Sequence, residues 1–95
     1  MYEKEATQLV RALQSRVPGR PSATKGPTSA TVRYQLEGAP IVFEVTFVGG
    51  KITVQASRDP EGVVWGVREH PISAAGVAVA ISEMTEWWAQ QPRSS

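Results

Sequence analysis

Residues 41–57 read IVFEVTFVGGKITVQAS, two runs in which apolar side chains occupy every second position. Alternation with a period of two is typical of β-strands that bury one face and expose the other. The Gly49-Gly50 pair between the runs suits a two-residue hairpin turn, because the residues of such a turn adopt positive φ angles. The stretch therefore predicts an antiparallel hairpin, and this hairpin decides the fold.

The same alternation continues on both sides of the hairpin. Residues 31–37 and 63–69 alternate in the same way, and short turns at residues 37–40 and 58–62 join them to it. Because short connections place consecutive strands side by side, the pattern predicts a four-stranded antiparallel meander. The side chains expected to point into the core are Val32, Tyr34 and Leu36, then Ile41, Phe43, Val45 and Phe47, then Ile52, Val54 and Ala56, and finally Val63, Trp65 and Val67.

Helical periodicity marks both ends of the chain. Between residues 2 and 16, apolar residues recur at spacings of three and four, and Pro18-Gly19 ends the pattern. A second helix is predicted to begin with Pro71 in its first turn or with Ser73 as its cap. The fold class predicted is α+β: an N-terminal helix, a four-stranded antiparallel meander sheet and a C-terminal helix, with both helices on one face of the sheet.

The length of 95 residues suits a single α+β domain, 1–95. Within it, residues 15–29 read SRVPGRPSATKGPTS and predict a flexible Pro/Gly-rich loop at 17–30, while residues 91–95 are expected to fray. The alternative is a basic loop that holds an anion. A phosphate-binding loop is disfavoured, because such a loop follows a buried strand and ends in Gly-Lys-Ser/Thr, whereas this segment follows a helix.

The composition excludes several classes of protein. Hydrophobic residues make up 41% and charged residues 20%, with a net charge of +1, so the strong basic excess of a dedicated nucleic-acid binder is missing. The chain has no cysteine, which excludes disulfides and thiolate metal sites. Its longest apolar stretch, Ala74–Ile81, is far too short to span a bilayer. We expect a cytoplasmic protein that makes no use of the membrane.

The chain offers few groups for catalysis. His70 is its one histidine and is predicted to be a polar residue at the start of the last helix. Glu83 and Glu86 are three positions apart on that helix, but no histidine stands at a metal-ligand spacing from them, and solvated side chains are expected. The prediction is a protein that is not an enzyme and has no catalytic residue, cofactor or metal.

Basic residues cluster in the first third of the chain. No acidic residue lies between Glu5 and Glu37, and the candidate anion-binding residues all fall there: Arg11, Arg16, Arg20, Lys25 and Arg33. A nucleic-acid-binding protein that uses this region is the alternative function. If these side chains converge with Lys51 on one face of the fold, nucleic acid is favoured; if they are dispersed, a protein partner is favoured.

The C-terminal helix carries the candidate residues for binding a partner, namely Trp87, Trp88, Val77 and Ile81. Tryptophan is enriched in interface hot spots, and the segment before the tryptophans is apolar nearly all round. The alternative is that both tryptophans pack under the sheet or against the first helix. The leading hypothesis is a small non-enzymatic protein-interaction domain, of adaptor, inhibitor, chaperone or immunity type, with a possible homodimer through the C-terminal helix.

Overall fold

The computed structural model describes residues 2–58 and 62–90, and within these ranges it has two helices and five strands. In chain order they are α1 (Glu3–Gln14), β1 (Gly19–Lys25), β2 (Ser29–Leu36), β3 (Ile41–Val48), β4 (Lys51–Arg58), β5 (Val63–Pro71) and α2 (Ala74–Gln90). Both helices pack on the sheet and contact each other, which confirms the α+β class. The tail predicted to fray at 91–95 and the turn residues 59–61 lie outside the described residues.

The sheet is an antiparallel meander with the strand order β1-β2-β3-β4-β5. The prediction of four strands is wrong by one, because β1 lies within the segment 17–30 that was expected to be a loop. Gly19 pairs with Leu36 and Lys25 with Ala30, so β1 runs along the whole of β2. Its side chains beyond Gly19 are all exposed. Backbone pairing with β2, rather than burial of its own side chains, therefore defines this strand.

The central hairpin forms as its sequence predicts. Gly49 and Gly50 have φ angles of 59° and 76°, the positive values that a type I′ turn requires at both of its central residues. The turn pairs Val48 with Lys51 and Phe47 with Ile52. This register keeps the alternating apolar residues of the two strands on the face that the helices cover, namely Ile41, Phe43, Val45 and Phe47 of β3 and Ile52, Val54 and Ala56 of β4.

The core lies between the helices and one face of the sheet. Its fully covered aromatic side chains are Tyr34, Phe43 and Phe47. The helices supply the other side of the core, with Ala6, Leu9 and Leu13 from α1 and Gly76, Val77, Ala80, Ile81 and Met84 from α2. We call the face of the sheet away from the helices the open face.

Ser73 caps the start of α2. Its Oγ accepts a hydrogen bond of 3.0 Å from the backbone N–H of Gly76, as an N-cap serine does. Pro71 is the last residue of β5, so the prediction that it stands in the first turn of the helix is wrong and the alternative cap, Ser73, is confirmed.

Candidate functional site

Strand β5 has a neighbour on one side only among the described residues, and its apolar side chains stay exposed. Val63, Val64, Trp65 and Val67 keep 57%, 45%, 39% and 48% of their surface accessible to solvent. They are four of the six large hydrophobic residues exposed to this degree in the described part of the chain. We call these four residues the β5 edge cluster. Exposed apolar side chains grouped in this way are typical of a surface that another molecule covers.

A β-bulge places the cluster on both faces of the sheet. Ala56 of β4 pairs with Gly66, whereas the next residue of β4, Ser57, pairs with Val64. Trp65 is therefore the extra residue of the bulge and has no partner of its own on β4. Trp65 lies on the helix side, because its ring contacts a ring of α2, while Val64 shares the open face with Ser57.

The bulge reverses part of the predicted inward set. Val67 pairs with Gln55, which lies between the buried residues Val54 and Ala56, so Val67 points to the open face. The prediction that Val67 faces the core is wrong for this reason. Arg68 pairs with Val54 and takes the helix side instead.

Aromatic rings connect the edge of the sheet to the core. The rings of Trp65 and Trp87 meet edge to face, with 5.6 Å between centroids and 66° between planes. The Trp87 ring lies in turn 6.1 Å from the ring of Phe43, which is fully buried. A Cβ added at Gly66 would be 3.2 Å from the Trp87 ring, so the missing side chain lets this ring approach the strand. One side of the Trp65 ring therefore packs against Trp87, and the other side faces solvent.

Three charged or polar side chains fasten β5 to α2 beside this aromatic group. The Nε2 atom of His70 is hydrogen-bonded to Oε1 of Glu83, and the Nε atom of Arg68 lies 3.5 Å from Oε2 of the same carboxylate. The Glu83 side chain is only 22% exposed, so the prediction that it is a solvated surface residue is wrong. Both carboxylate oxygens of Glu83 are engaged, which suits a structural connection between strand and helix.

The opposite edge of the sheet has a different chemistry. Strand β1 contains Pro21, which has no backbone N–H to donate, and it carries the charged residues Arg20 and Lys25. Lys25 Nζ lies 3.5 Å from Oε1 of Glu3 on α1. Proline and charge are the features with which natural sheets prevent pairing at an edge. The two edges of the sheet therefore differ: β1 carries proline and charge, which oppose pairing, and β5 carries exposed apolar side chains.

The structure separates the predicted partner-binding residues. Val77 and Ile81 are buried in the core of this chain, so their side chains are not on its surface. Trp87 and Trp88 are half-buried and pack against the core. Trp87 takes part in the candidate site, because its ring packs against the ring of Trp65.

The structure brings the predicted basic residues together only in part, since three of the six share the open face and the other three lie elsewhere. Arg20 and Arg33 lie on the open face, where Arg33 is 3.7 Å from Glu44, and Lys25 lies on the helix side. Arg20 and Lys25 also belong to opposite ends of β1. Arg11 is exposed on α1, Arg16 follows that helix, and Lys51 stands at the hairpin turn on the open face. The six side chains therefore do not form one basic face.

Sequence reasoning missed the β5 edge cluster, although the sequence contains a signal for it. Val63-Val64-Trp65 places three apolar residues at consecutive positions, which gives apolar side chains to both faces of a strand. The last strand of a meander also has a neighbour on one side only. The two observations together indicate an apolar edge.

Other kinds of site find no support in the described residues. They contain no group of three or more His, Cys, Asp or Glu side chains placed to hold a metal ion. No described helix is both long enough and apolar enough to cross a membrane. Searches of protein-family models, of curated proteins and of solved structures each found no match to this chain.

Proposed function

We propose that this chain is a non-enzymatic protein-interaction domain that binds by accepting an additional β-strand along the outer edge of β5. The observation that carries the proposal is the β5 edge cluster: an edge strand with exposed apolar side chains on both of its faces. An edge strand also presents backbone N–H and C=O groups that point away from the sheet and can pair with an extended segment. The homodimer through α2 stays a prediction; we place the interaction at the β5 edge instead, because the buried residues of α2 already belong to the core.

The chemistry of recognition follows from the two faces of β5. Backbone hydrogen bonds to an added strand provide affinity that depends little on sequence, and side-chain contacts provide specificity. On the helix side, an incoming residue meets the exposed side of Trp65, which Trp87 holds in place. On the open face it meets Val64 and Val67. The added strand is therefore expected to be apolar on both faces near its centre.

Nucleic-acid binding remains the alternative hypothesis, and no specific observation favours it. Lys25 and Arg33 each have an acidic neighbour, at 3.5 Å and 3.7 Å, which reduces the positive potential that a phosphate would meet. Protein interaction at the β5 edge is the proposal that the geometry supports best.

Site-specific photo-crosslinking in a lysate of the source cells tests the proposal. A photoreactive residue replaces Val64 on β5, and the same residue replaces Ser22 as the control, since Ser22 is an exposed residue of the opposite edge strand. We expect position 64 to crosslink to one extended segment of a protein and position 22 to give only background. Equal labelling from both positions, or none from position 64, would contradict the proposal.

A pair of substitutions gives the matching functional control. Val67→Lys introduces a charge at the β5 edge cluster, and Val79→Lys introduces the same charge at a valine of α2 that is 46% exposed, against 48% for Val67. The first substitution should abolish the crosslink from position 64 and the second should leave it intact. Neither side chain belongs to the core, so both variants are expected to fold.

A further inference from the structure

We propose that the groove between α1 and β1 binds a small amphipathic carboxylate, that is, an anion with an apolar chain. The groove has a volume of about 360 Å³, which lies within the range of small-molecule sites. It is on the helix side of the sheet, at the edge opposite the β5 edge cluster. The inference therefore goes beyond the proposed function and uses none of its residues.

The groove exists because α1 packs on β2 and leaves β1 uncovered. Pro21 and Ala23 of β1 pair with two core residues of β2, so their side chains point to the helix side. Both are nevertheless exposed, and the half-buried Val10 of α1 lines the same groove. Apolar groups thus stand on both sides of the groove. A ligand chain laid between them removes this apolar surface from water, which favours binding.

The charges in the groove favour an anion. Three charged side chains line it, namely Glu3, Arg11 and Lys25. Lys25 Nζ lies 3.5 Å from Oε1 of Glu3, so these two charges balance each other. Among the described residues, no acidic side chain lies within ion-pair distance of Arg11. Arg11 is therefore the one charge of the groove that these neighbours leave uncompensated.

The side chains next to Arg11 suit a carboxylate head group. Thr7 and Gln14 are four residues before and three residues after Arg11, so the three side chains share one side of α1, and all of them line the groove. The guanidinium can donate two parallel hydrogen bonds to a carboxylate, and the hydroxyl and the amide add further donors. A cationic head group would instead be repelled by Arg11.

Titration of the full chain with decanoate below its micelle concentration, followed by nuclear magnetic resonance, tests the proposal. We expect saturable shifts of the amide signals of Val10 and Ala23. Decyltrimethylammonium, which has the same chain and a cationic head, should bind roughly tenfold more weakly or less. The absence of saturable shifts, or shifts centred on the β5 edge cluster, would overturn the site. Equal binding of the two compounds would overturn the preference for an anion.

Two pairs of variants locate the ligand. Arg11→Gln should weaken decanoate binding roughly tenfold, because one charge-assisted hydrogen-bond donor is lost, whereas Arg16→Gln changes an exposed arginine outside the groove and should not. Ala23→Phe fills the groove and should remove binding, whereas Ser22→Phe places the same ring on the open face and should preserve it.

The variants also separate the two parts of the inference. Unchanged affinity in Arg11→Gln would show that the head group lies elsewhere, and unchanged affinity in Ala23→Phe would show that the chain does. All four positions are exposed, so the variants are expected to fold, and circular dichroism checks this. Crosslinking from position 64 is independent of decanoate binding, so this inference and the proposed function fail separately.

Discussion

The ring of Trp65 at the edge of the sheet packs edge to face on the ring of Trp87 from α2, with 5.6 Å between centroids. Trp87 is itself packed on the buried ring of Phe43. The exposed edge of the domain is therefore connected to its core by two aromatic contacts. These contacts restrain the Trp65 side chain, which is part of the surface proposed to bind a partner. Rigid aromatic side chains lose little conformational freedom on binding, which favours affinity.

The first prediction separates the role of Trp65 in binding from its role in stability. Trp65→Ala should lower the free energy of unfolding by about 2 kcal/mol, because the aromatic pair with Trp87 is lost together with the covered part of a side chain that is 39% exposed. It should also remove the crosslink from position 64. Chemical denaturation at a fixed protein concentration measures the first effect, and Val63→Ala on the same strand is the control for loss of an exposed apolar side chain. A loss of about 3 kcal/mol or more would identify Trp65 as a core residue instead.

The second prediction concerns the carboxylate that fastens β5 to α2. Glu83→Gln keeps the shape of the side chain but removes the charge that faces His70 and Arg68. Because Arg68 is largely exposed, the cost should be on the order of 1 kcal/mol at neutral pH and should shrink at high salt. Glu86→Gln, an exposed residue one turn further along α2, should change the free energy of unfolding by less than about 0.5 kcal/mol. Equal effects of the two substitutions would show that the contact of Glu83 with β5 contributes nothing specific.

The centre of the fold could be predicted from the sequence, because in β2, β3 and β4 side-chain pattern and burial agree. Val32, Phe43 and Val54 are apolar, alternate with polar residues and are fully buried. Strand β1 could not be predicted in this way. Its sequence, GRPSATK, has no apolar alternation, since the strand exists through its backbone pairing with β2. The alternation of apolar and polar side chains cannot predict a strand that is held only by backbone hydrogen bonds.

The candidate site could be predicted only in part, for a related reason. A single-residue bulge at Trp65 changes which residues of β5 face the core, and alternation alone cannot reveal where a strand gains a residue. The apolar stripe of α2 was visible, but Val77 and Ile81 are covered by α1 and the sheet. Whether an apolar surface is covered within its own chain depends on the arrangement of all the elements, so the sequence could not distinguish core from interface.

The third prediction concerns alkaline pH. The hydroxyl of Tyr34 donates a hydrogen bond to the carbonyl of Val17, and burial, with the Glu37 carboxylate as a second cause, raises the pKa of this phenol above its ordinary 10.0. The folded state favours the neutral phenol, so the stability that this provides is complete below pH 10 and is lost as the pH rises further, because the unfolded chain ionises first.

Tyr34→Phe tests this dependence. At neutral pH the variant should be less stable by about 1–3 kcal/mol, because the buried carbonyl of Val17 loses its donor. Above pH 10 the unmodified chain should lose stability more steeply than the variant, so the two curves converge. Denaturation midpoints measured at neutral and alkaline pH give both values. Two curves that stay parallel above that pH would mean that another group governs alkaline unfolding.

The last prediction concerns Gly76 in the first turn of α2. Helix propensity predicts that alanine at this position raises the free energy of unfolding, whereas packing predicts that it lowers it. In an open helix position, Gly→Ala stabilises a protein by about 1 kcal/mol. Here a Cβ would be 1.9 Å from the carbonyl oxygen of Pro71, and backbone cannot swing aside as a flexible side chain can. The first turn must move away from β5, which also disturbs the hydrogen bond from the Gly76 N–H to Ser73. Gly76→Ala should therefore destabilise the protein by about 1–3 kcal/mol.

Denaturation of Gly76→Ala beside Ala78→Ser measures this effect. Ala78 is an exposed residue of the same helix, and its replacement should change the free energy of unfolding by no more than about 0.5 kcal/mol. A Gly76→Ala variant as stable as the unmodified chain would mean that α2 can shift along β5 at little cost. Since α2 supplies the Trp87 ring that supports Trp65, the destabilised variant should also bind more weakly at the β5 edge. That loss of binding connects the packing of a buried glycine to the surface proposed to receive a partner.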